Sequence, residues 1–198
     1  MLDIKQKFNL LNKAILTKEF LDDFLQKLPE QYTIYDLTRK WILAVIKRDE
    51  SYLNLQYEKW PTPWIIGATY CGKTNYMFGW LAVYNLYGFT TQIANQYTIY
   101  STIFYGDKVI YTTDFSFKKV KNEVIYGFDL KYDRWIYYSI MNIERAFIEY
   151  CKENMNKLAE LKEIYKRSIN KQQLETLLKK YPYQNIRAFI IKKIILWQ

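Results

Sequence analysis

Residues 33–55 read TIYDLTRKWILAVIKRDESYLNL, and this stretch decides how the first part of the chain folds. Thr33 and Asp36 form a T-x-x-D capping pattern: a hydroxyl and a carboxylate that satisfy the first free amides of a helix. They predict a short helix running to about Lys40. Beyond it, Trp41-Ile42-Leu43-Ala44-Val45-Ile46 and Ser51-Tyr52-Leu53-Asn54-Leu55 are strand-like runs on either side of the charged turn Lys47-Arg48-Asp49-Glu50, which predicts a β-hairpin. Upstream, Ile4, Phe8, Leu11 and Ile15 recur at helical spacing, as do Phe20, Leu21, Phe24, Leu25 and Leu28. These give two helices, the second opened by Thr17 as N-cap with Glu19 in its first turn, and closed by Pro29. Three helices and a hairpin within residues 1–57 is the element order of a winged helix-turn-helix.

Downstream, Trp60-Pro61-Thr62-Pro63 is the Pro-dense stretch that reads as a linker to a second domain over 58–198. A helix is predicted over 78–87, with Trp80, Leu81, Tyr84 and Leu86 apolar and Gly88 as its stop. Strand-like runs follow at 97–103, 108–112, 115–117, 123–128 and 135–140, with a turn at Gly106-Asp107. The connections are short, and a parallel crossover takes a dozen or more residues, so antiparallel pairing is expected throughout. From Asn142 the chain reads as helices at about 143–153, 156–167, 171–180 and 185–197. The class is therefore α+β: a winged helix-turn-helix, then an antiparallel sheet flanked by helices with a helical C-terminus.

Composition narrows the chemistry. Half of the 198 residues are hydrophobic, and 20 Tyr and 11 Phe supply the large apolar groups that disordered chains lack. Histidine is absent, which removes Ser-His-Asp and Cys-His catalysis and every His-containing zinc site. Cys71 and Cys151 are too few for a thiolate cage and are expected to be free. The N-terminal MLDIKQKFNLLNKAIL carries charges inside its apolar stretch, unlike a signal peptide, and no window is apolar and long enough for a membrane span, so a cytoplasmic location is expected. The net charge of +9 is unevenly spread. Residues 1–57 hold nine Lys/Arg against eight Asp/Glu, residues 58–150 the same numbers, and residues 151–198 eleven against four. The basic last quarter points to an acidic partner, nucleic acid or protein, or to ordinary solvated helix faces.

Gly67-Ala68-Thr69-Tyr70-Cys71-Gly72-Lys73-Thr74 fits the G-x-x-x-x-G-K-T pattern of phosphate-binding loops. In such a loop Gly67 and Gly72 would let backbone amides wrap the phosphates, Lys73 would reach the terminal ones, and Thr74 would hold magnesium. The motif requires a buried strand before it and a helix after it. Trp64-Ile65-Ile66 is a short run behind Pro61 and Pro63, and Gly79 would interrupt the helix that follows. Nucleotide binding there is kept as the alternative reading.

The stretch Tyr76-Met77-Phe78-Gly79-Trp80-Leu81-Ala82-Val83-Tyr84-Asn85-Leu86-Tyr87-Gly88-Phe89-Thr90-Thr91-Gln92 resembles the signature segment of the AbiE-type antitoxins of bacteria and archaea, an aromatic-rich strand leading into a helix and a nearby Gln. Ser139-Ile140-Met141-Asn142-Ile143-Glu144-Arg145-Ala146-Phe147-Ile148-Glu149-Tyr150 is similar to a helix of that family opening on Glu-Arg, with Glu149 where the family often has Asp. The hairpin at Arg48-Asp49-Glu50-Ser51-Tyr52 lies where the family places its wing, but lacks the family's glycine and is one residue longer. The resemblance spans about 30–195. It implies a regulator that binds its own promoter, double-stranded DNA, through the winged helix, and that counteracts a nucleotidyltransferase-like toxin. It implies no catalytic residue, cofactor or metal.

In a winged helix the third helix enters the major groove and the wing touches the backbone. Thr38, Arg39 and Lys40, with Lys47 and Arg48 of the hairpin, are then the candidate DNA contacts, against the reading that they are solvated charges or belong to a protein-binding module without DNA contact. Lys162, Lys166, Arg167, Lys171, Lys179 and Lys180, with Arg187, Lys192 and Lys193, are the candidate surface for a partner or nucleic acid. Glu144 and Arg145 begin a helix, where a structural role is expected.

Overall fold

The computed structural model of the chain describes residues 2–196. Asp3 opens the first helix, α1 (Ile4–Leu10), in a reciprocal capping box with Gln6. Helical spacing predicts that this element continues toward Ile15, but Asn12 takes a positive φ of 52° and ends it. Ile15–Thr17 is instead a short strand, β1. Thr17 then caps α2 (Lys18–Gln26), accepting from the Phe20 amide at 3.2 Å. Thr33 and Asp36 cap α3 (Ile34–Arg39) with both bonds of the predicted box. The hairpin follows as β2 (Leu43–Lys47) and β3 (Ser51–Asn54). The three strands form an antiparallel sheet in the order β1-β3-β2. Phe8, Leu16, Leu21, Leu37, Ile42, Leu43 and Tyr52 make a core of their own beneath it. Buried Asn54 ties the ends together, donating to the carbonyls of Phe8 at 2.9 Å and Lys13 at 3.0 Å.

The predicted linker leads at once into α4 (Pro63–Cys71), with Pro63 at its first turn, where a missing N–H costs nothing. α4 is apolar all round because it is covered on two sides: it meets β2 of the small sheet and the strands of a larger one. That larger sheet holds β4 (Tyr76–Gly79), β5 (Tyr97–Ser101), β6 (Gly106–Ile110), β7 (Thr113–Lys119), β8 (Phe128–Asp133) and β9 (Ile136–Met141), in the order β6-β7-β5-β4-β9-β8. The expected strand at 123–128 lies further along as β8, and residues 122–124 form a 3₁₀ turn. The expected helix over 78–87 is split. Its first part is β4, Trp80 turns the chain with φ 62°, and only Leu81–Leu86 is helical, as α5. Gly88 ends α5 as predicted, with φ 69° and a Phe89 amide bonded back to the Tyr84 carbonyl at 2.9 Å.

Antiparallel pairing throughout is also corrected. β4–β5, β6–β7 and β8–β9 are antiparallel, but β5 lies parallel to β7 and β4 parallel to β9. The crossover rule constrains strands joined directly. After two short reversals the chain runs in its original direction again, so β7 can slot between β6 and β5 and lie parallel to β5 without any long connection.

The other face of the sheet carries the C-terminal helices α6 (Ile143–Glu153), α7 (Leu158–Ser168), α8 (Lys171–Lys180) and α9 (Gln184–Ile190), which runs on into a π-helical turn, Ile191–Ile195. These match the predicted helices, except that residue 197 of the last one lies outside the described residues. α6 is the central rod, in contact with α5, α7, α8, α9 and β9.

Candidate nucleic-acid interface

The short α3 exposes one side, and the hairpin turn lies across a cleft from it. Tyr35, Thr38, Val45 and Arg48 line that cleft together with Asp22 and Tyr52. Thr38 and Arg48, two of the expected contact residues, are therefore brought together. Thr38 returns its hydroxyl proton to the Ile34 carbonyl at 2.9 Å, which leaves its methyl and oxygen lone pairs at the rim. Arg39 is exposed, with its guanidinium carbon 5.8 Å from the centre of the Tyr35 ring. Lys40 sits over the ring of Tyr32 at 4.7 Å. Lys47 does not join them: its ammonium pairs with Glu50 at 2.6 Å and lies 5.9 Å from the ring of Phe104, between β5 and β6 of the larger sheet. Sequence reading missed Tyr35, which is 69% exposed on the outer face of α3, one turn before Arg39. An aromatic between the capping pair was legible there as a residue with no core to enter.

The eight acids of residues 1–57 repel phosphate less than their number suggests. Asp22, Asp23, Glu30 and Glu50 are held by Lys18, Lys27, Lys7 and Lys47. Asp3 and Asp36 are spent on helix amides. Hydrogen bonds from Thr33 hold the Asp36 carboxyl below its ordinary value, so it stays a cap at neutral pH.

The basic C-terminal surface divides. Burial, followed by the nearby charges of Lys166 and Lys193, lowers the pKa of Lys162, while Lys166 also pairs with Glu163 at 3.9 Å on α7. Lys179, Arg187 and Lys192 rim a separate apolar groove over Leu178, Ala188, Ile191 and Ile195. Arg167 is turned to the fold, donating to the Gly88 carbonyl at 3.1 Å behind α5. Lys171 and Lys180 are exposed at the two ends of α8.

The phosphate-loop pattern takes a different form. Gly67 is an interior residue of α4, and a Cβ built there would stand 2.7 Å from Phe78, 2.8 Å from Ile99 and 2.9 Å from Phe115. Gly72 caps that helix, Lys73 is exposed, and the Thr74 hydroxyl donates to the Cys71 carbonyl at 2.9 Å. The eight residues run from helix to strand, the reverse of the strand-to-helix turn that points successive amides at a phosphate. Trp64-Ile65-Ile66 supplies no strand before the pattern: it lies in α4 itself.

Glu144 and Arg145 are buried, at 3% and 2% exposure. Glu144 accepts from the Asn170 amide at 3.2 Å and so fixes the start of α8. Arg145 donates from Nη2 to Glu149 at 2.8 Å and lies between the rings of Tyr126 and Tyr181, at 4.3 and 5.0 Å. Both cysteines are free and buried; burial pushes the Cys71 thiol up to about 12 and raises that of Cys151, so neither is a nucleophile at neutral pH. Among the described residues no cluster of acids and cysteines could hold a metal, and no helix is long and apolar enough to cross a membrane. No family model matches the chain, and no curated protein is significantly similar to it.

Proposed function

We propose that this chain is an antitoxin-like transcriptional regulator. Its N-terminal part is a winged helix-turn-helix that binds promoter DNA, and the protein counteracts a nucleotidyltransferase-like toxin. The observation that carries the DNA-binding half is topological: helix, strand, helix, helix, hairpin, with the first strand on the outside of the hairpin in the order β1-β3-β2. On this reading α3 is the recognition helix and the β2–β3 turn the wing. Tyr35, Thr38 and Arg39 are then the groove-facing residues, and Arg48 the backbone contact of the wing. Lys40 contributes charge from the end of α3, while Lys47 serves the fold. The pairing or capping of six of the eight acids supports the same reading, with Asp49 beside Arg48 in the cleft as the acid that offsets it.

A competition experiment tests promoter recognition. Labelled DNA from upstream of the gene should be displaced far less readily by unrelated duplex than by itself, because specific sites typically bind ~10³-fold or more tighter than non-specific ones. Equal competition by both would leave only a protein-binding module. The toxin half of the proposal rests on the sequence resemblance and the basic C-terminal helices. Reversing Lys162, Lys166, Lys179 and Lys180 to Glu together is expected to abolish growth rescue when the chain is co-expressed with its neighbouring toxin. Full rescue by a folded variant would refute that surface's role.

A further inference from the structure

The six-stranded sheet ends in an open edge strand with one apolar and one charged face. Among the described residues β8 is its last strand, paired only with β9 on its inner side. Phe128, Leu130 and Tyr132 share one face and are 38%, 64% and 52% exposed. Asp129 and Lys131 share the other, with Nζ and Oδ2 4.0 Å apart along the strand. Asp129, Lys131 and Asp133 put charge on one face of this edge strand, while the Phe-Leu-Tyr face carries none and the strand holds no proline.

The hydrogen-bond parity of β8 follows from its first turn. Asn142 donates to the Gly127 carbonyl at 2.9 Å, and residues 127 and 142 stand opposite each other in the β8–β9 register. Odd-numbered residues of β8 therefore spend their backbone groups on β9. The N–H and C=O groups of Phe128, Leu130 and Tyr132 point outward. A strand added antiparallel must place its own outward residues opposite these three, or the bonds do not form.

We propose that the occupant of this edge is the β8 of a second copy of the chain, paired antiparallel about a two-fold axis at Leu130. Among the registers that parity permits, the one centred on Leu130 sets Leu130 against Leu130 and Phe128 against Tyr132, making a continuous apolar stripe. On the opposite face it sets Asp129 against Lys131 and Lys131 against Asp129. These fall at the closely spaced, non-hydrogen-bonded positions where cross-strand charges interact best. Shifting the centre to residue 131 opposes Lys131 to Lys131 and Asp129 to Asp133. Shifting it to residue 129 opposes Asp129 to Asp129. Like charges so placed are destabilising, so the strand's own sequence selects a single self-complementary register. An isologous contact of this kind closes on itself and joins two sheets into one of twelve strands.

The test is the mass of the full chain by light scattering at micromolar concentration, with circular dichroism confirming that each variant is folded. The wild type should show twice the 24.2 kDa of one chain. Asp129→Lys should give the single-chain mass, because Lys then faces Lys in both symmetric pairs. Asp129→Lys combined with Lys131→Asp should restore the doubled mass, since the swap rebuilds both ion pairs. A monomeric wild type would overturn the proposal, as would a dimer indifferent to Asp129→Lys or a double variant that stays monomeric. If an extended peptide from another protein is the occupant, the wild type is monomeric and the swap restores nothing.

Discussion

Glu149→Ala is expected to lower unfolding stability by about 3–5 kcal/mol, read as a fall in the denaturant midpoint at unchanged slope. Arg145 is the largest fully buried side chain among the described residues, and Glu149 is the carboxylate that faces it. The Nε and Nη1 of Arg145 have no hydrogen-bond partner among the described residues and lie against tyrosine rings. Ring faces attract a cation but do not replace a counter-ion, so removing Glu149 leaves a positive charge in a low-dielectric site. Tyr181, whose hydroxyl donates to Glu149 at 3.1 Å, loses its acceptor in the same step. Replacing both charges at once, Arg145→Met with Glu149→Leu, should return most of the loss, since a buried pair and a packed apolar pair of similar size differ little. A single variant within about 1 kcal/mol of wild type would mean that the pair is hydrated and α6 is packed less tightly than described.

The second large effect is at Gly67. Any side chain there meets three neighbours at under 3 Å, two of them core aromatic rings of the sheet. Gly67→Val must push α4 off β4, β5 and β7, and a loss of roughly 3 kcal/mol or more is expected from overpacking of this kind. Lys73→Ala, six residues on and exposed, should change stability by less than about 0.5 kcal/mol. The pair of variants also separates the two meanings of the glycine-lysine pattern. A phosphate-binding loop would lose a ligand on substitution at Lys73 and keep its fold; a close helix–sheet approach loses its fold on substitution at Gly67 and is indifferent to Lys73. Binding of labelled ATP by the wild type, abolished in Lys73→Ala, would reopen the nucleotide reading.

What can be read from the sequence is local. The Thr33–Asp36 box, the Thr17 cap, the Gly88 stop and the four C-terminal helices each rest on side chains that bond or pack within a few residues. Features decided at a distance are hidden from such a reading. β1 is a strand because Leu53 and Ser51 of β3 present an edge to it; three residues, though two are β-branched, are too few to mark a strand alone. Trp64-Ile65-Ile66 is too short and too uniformly apolar to carry a period, so the helix α4 that contains it leaves no mark in the sequence. The parallel neighbours in the large sheet come from strand placement, which connection length does not encode. In the candidate interface, the basic residues of α3 and the exposed Tyr35 are legible by type and position, but the pairing of Lys47 with Glu50 rests on side-chain placement across the hairpin turn, which residue type does not encode. Glu144 and Arg145 fall at a helix start as their sequence predicts, while their burial requires the arrival of α8 and Tyr181 from later in the chain.

If α3 and the wing meet DNA, salt-dependent affinity measures that contact directly. Fluorescence anisotropy with the gene's own upstream duplex, at a series of salt concentrations, should give a linear fall of log affinity against log salt. In the double variant Arg39→Ala, Arg48→Ala the affinity should drop at least about tenfold, and the slope should become shallower by about 2, one for each phosphate that is no longer neutralised. Affinity and slope unchanged from the wild type would contradict the assignment of this face to DNA.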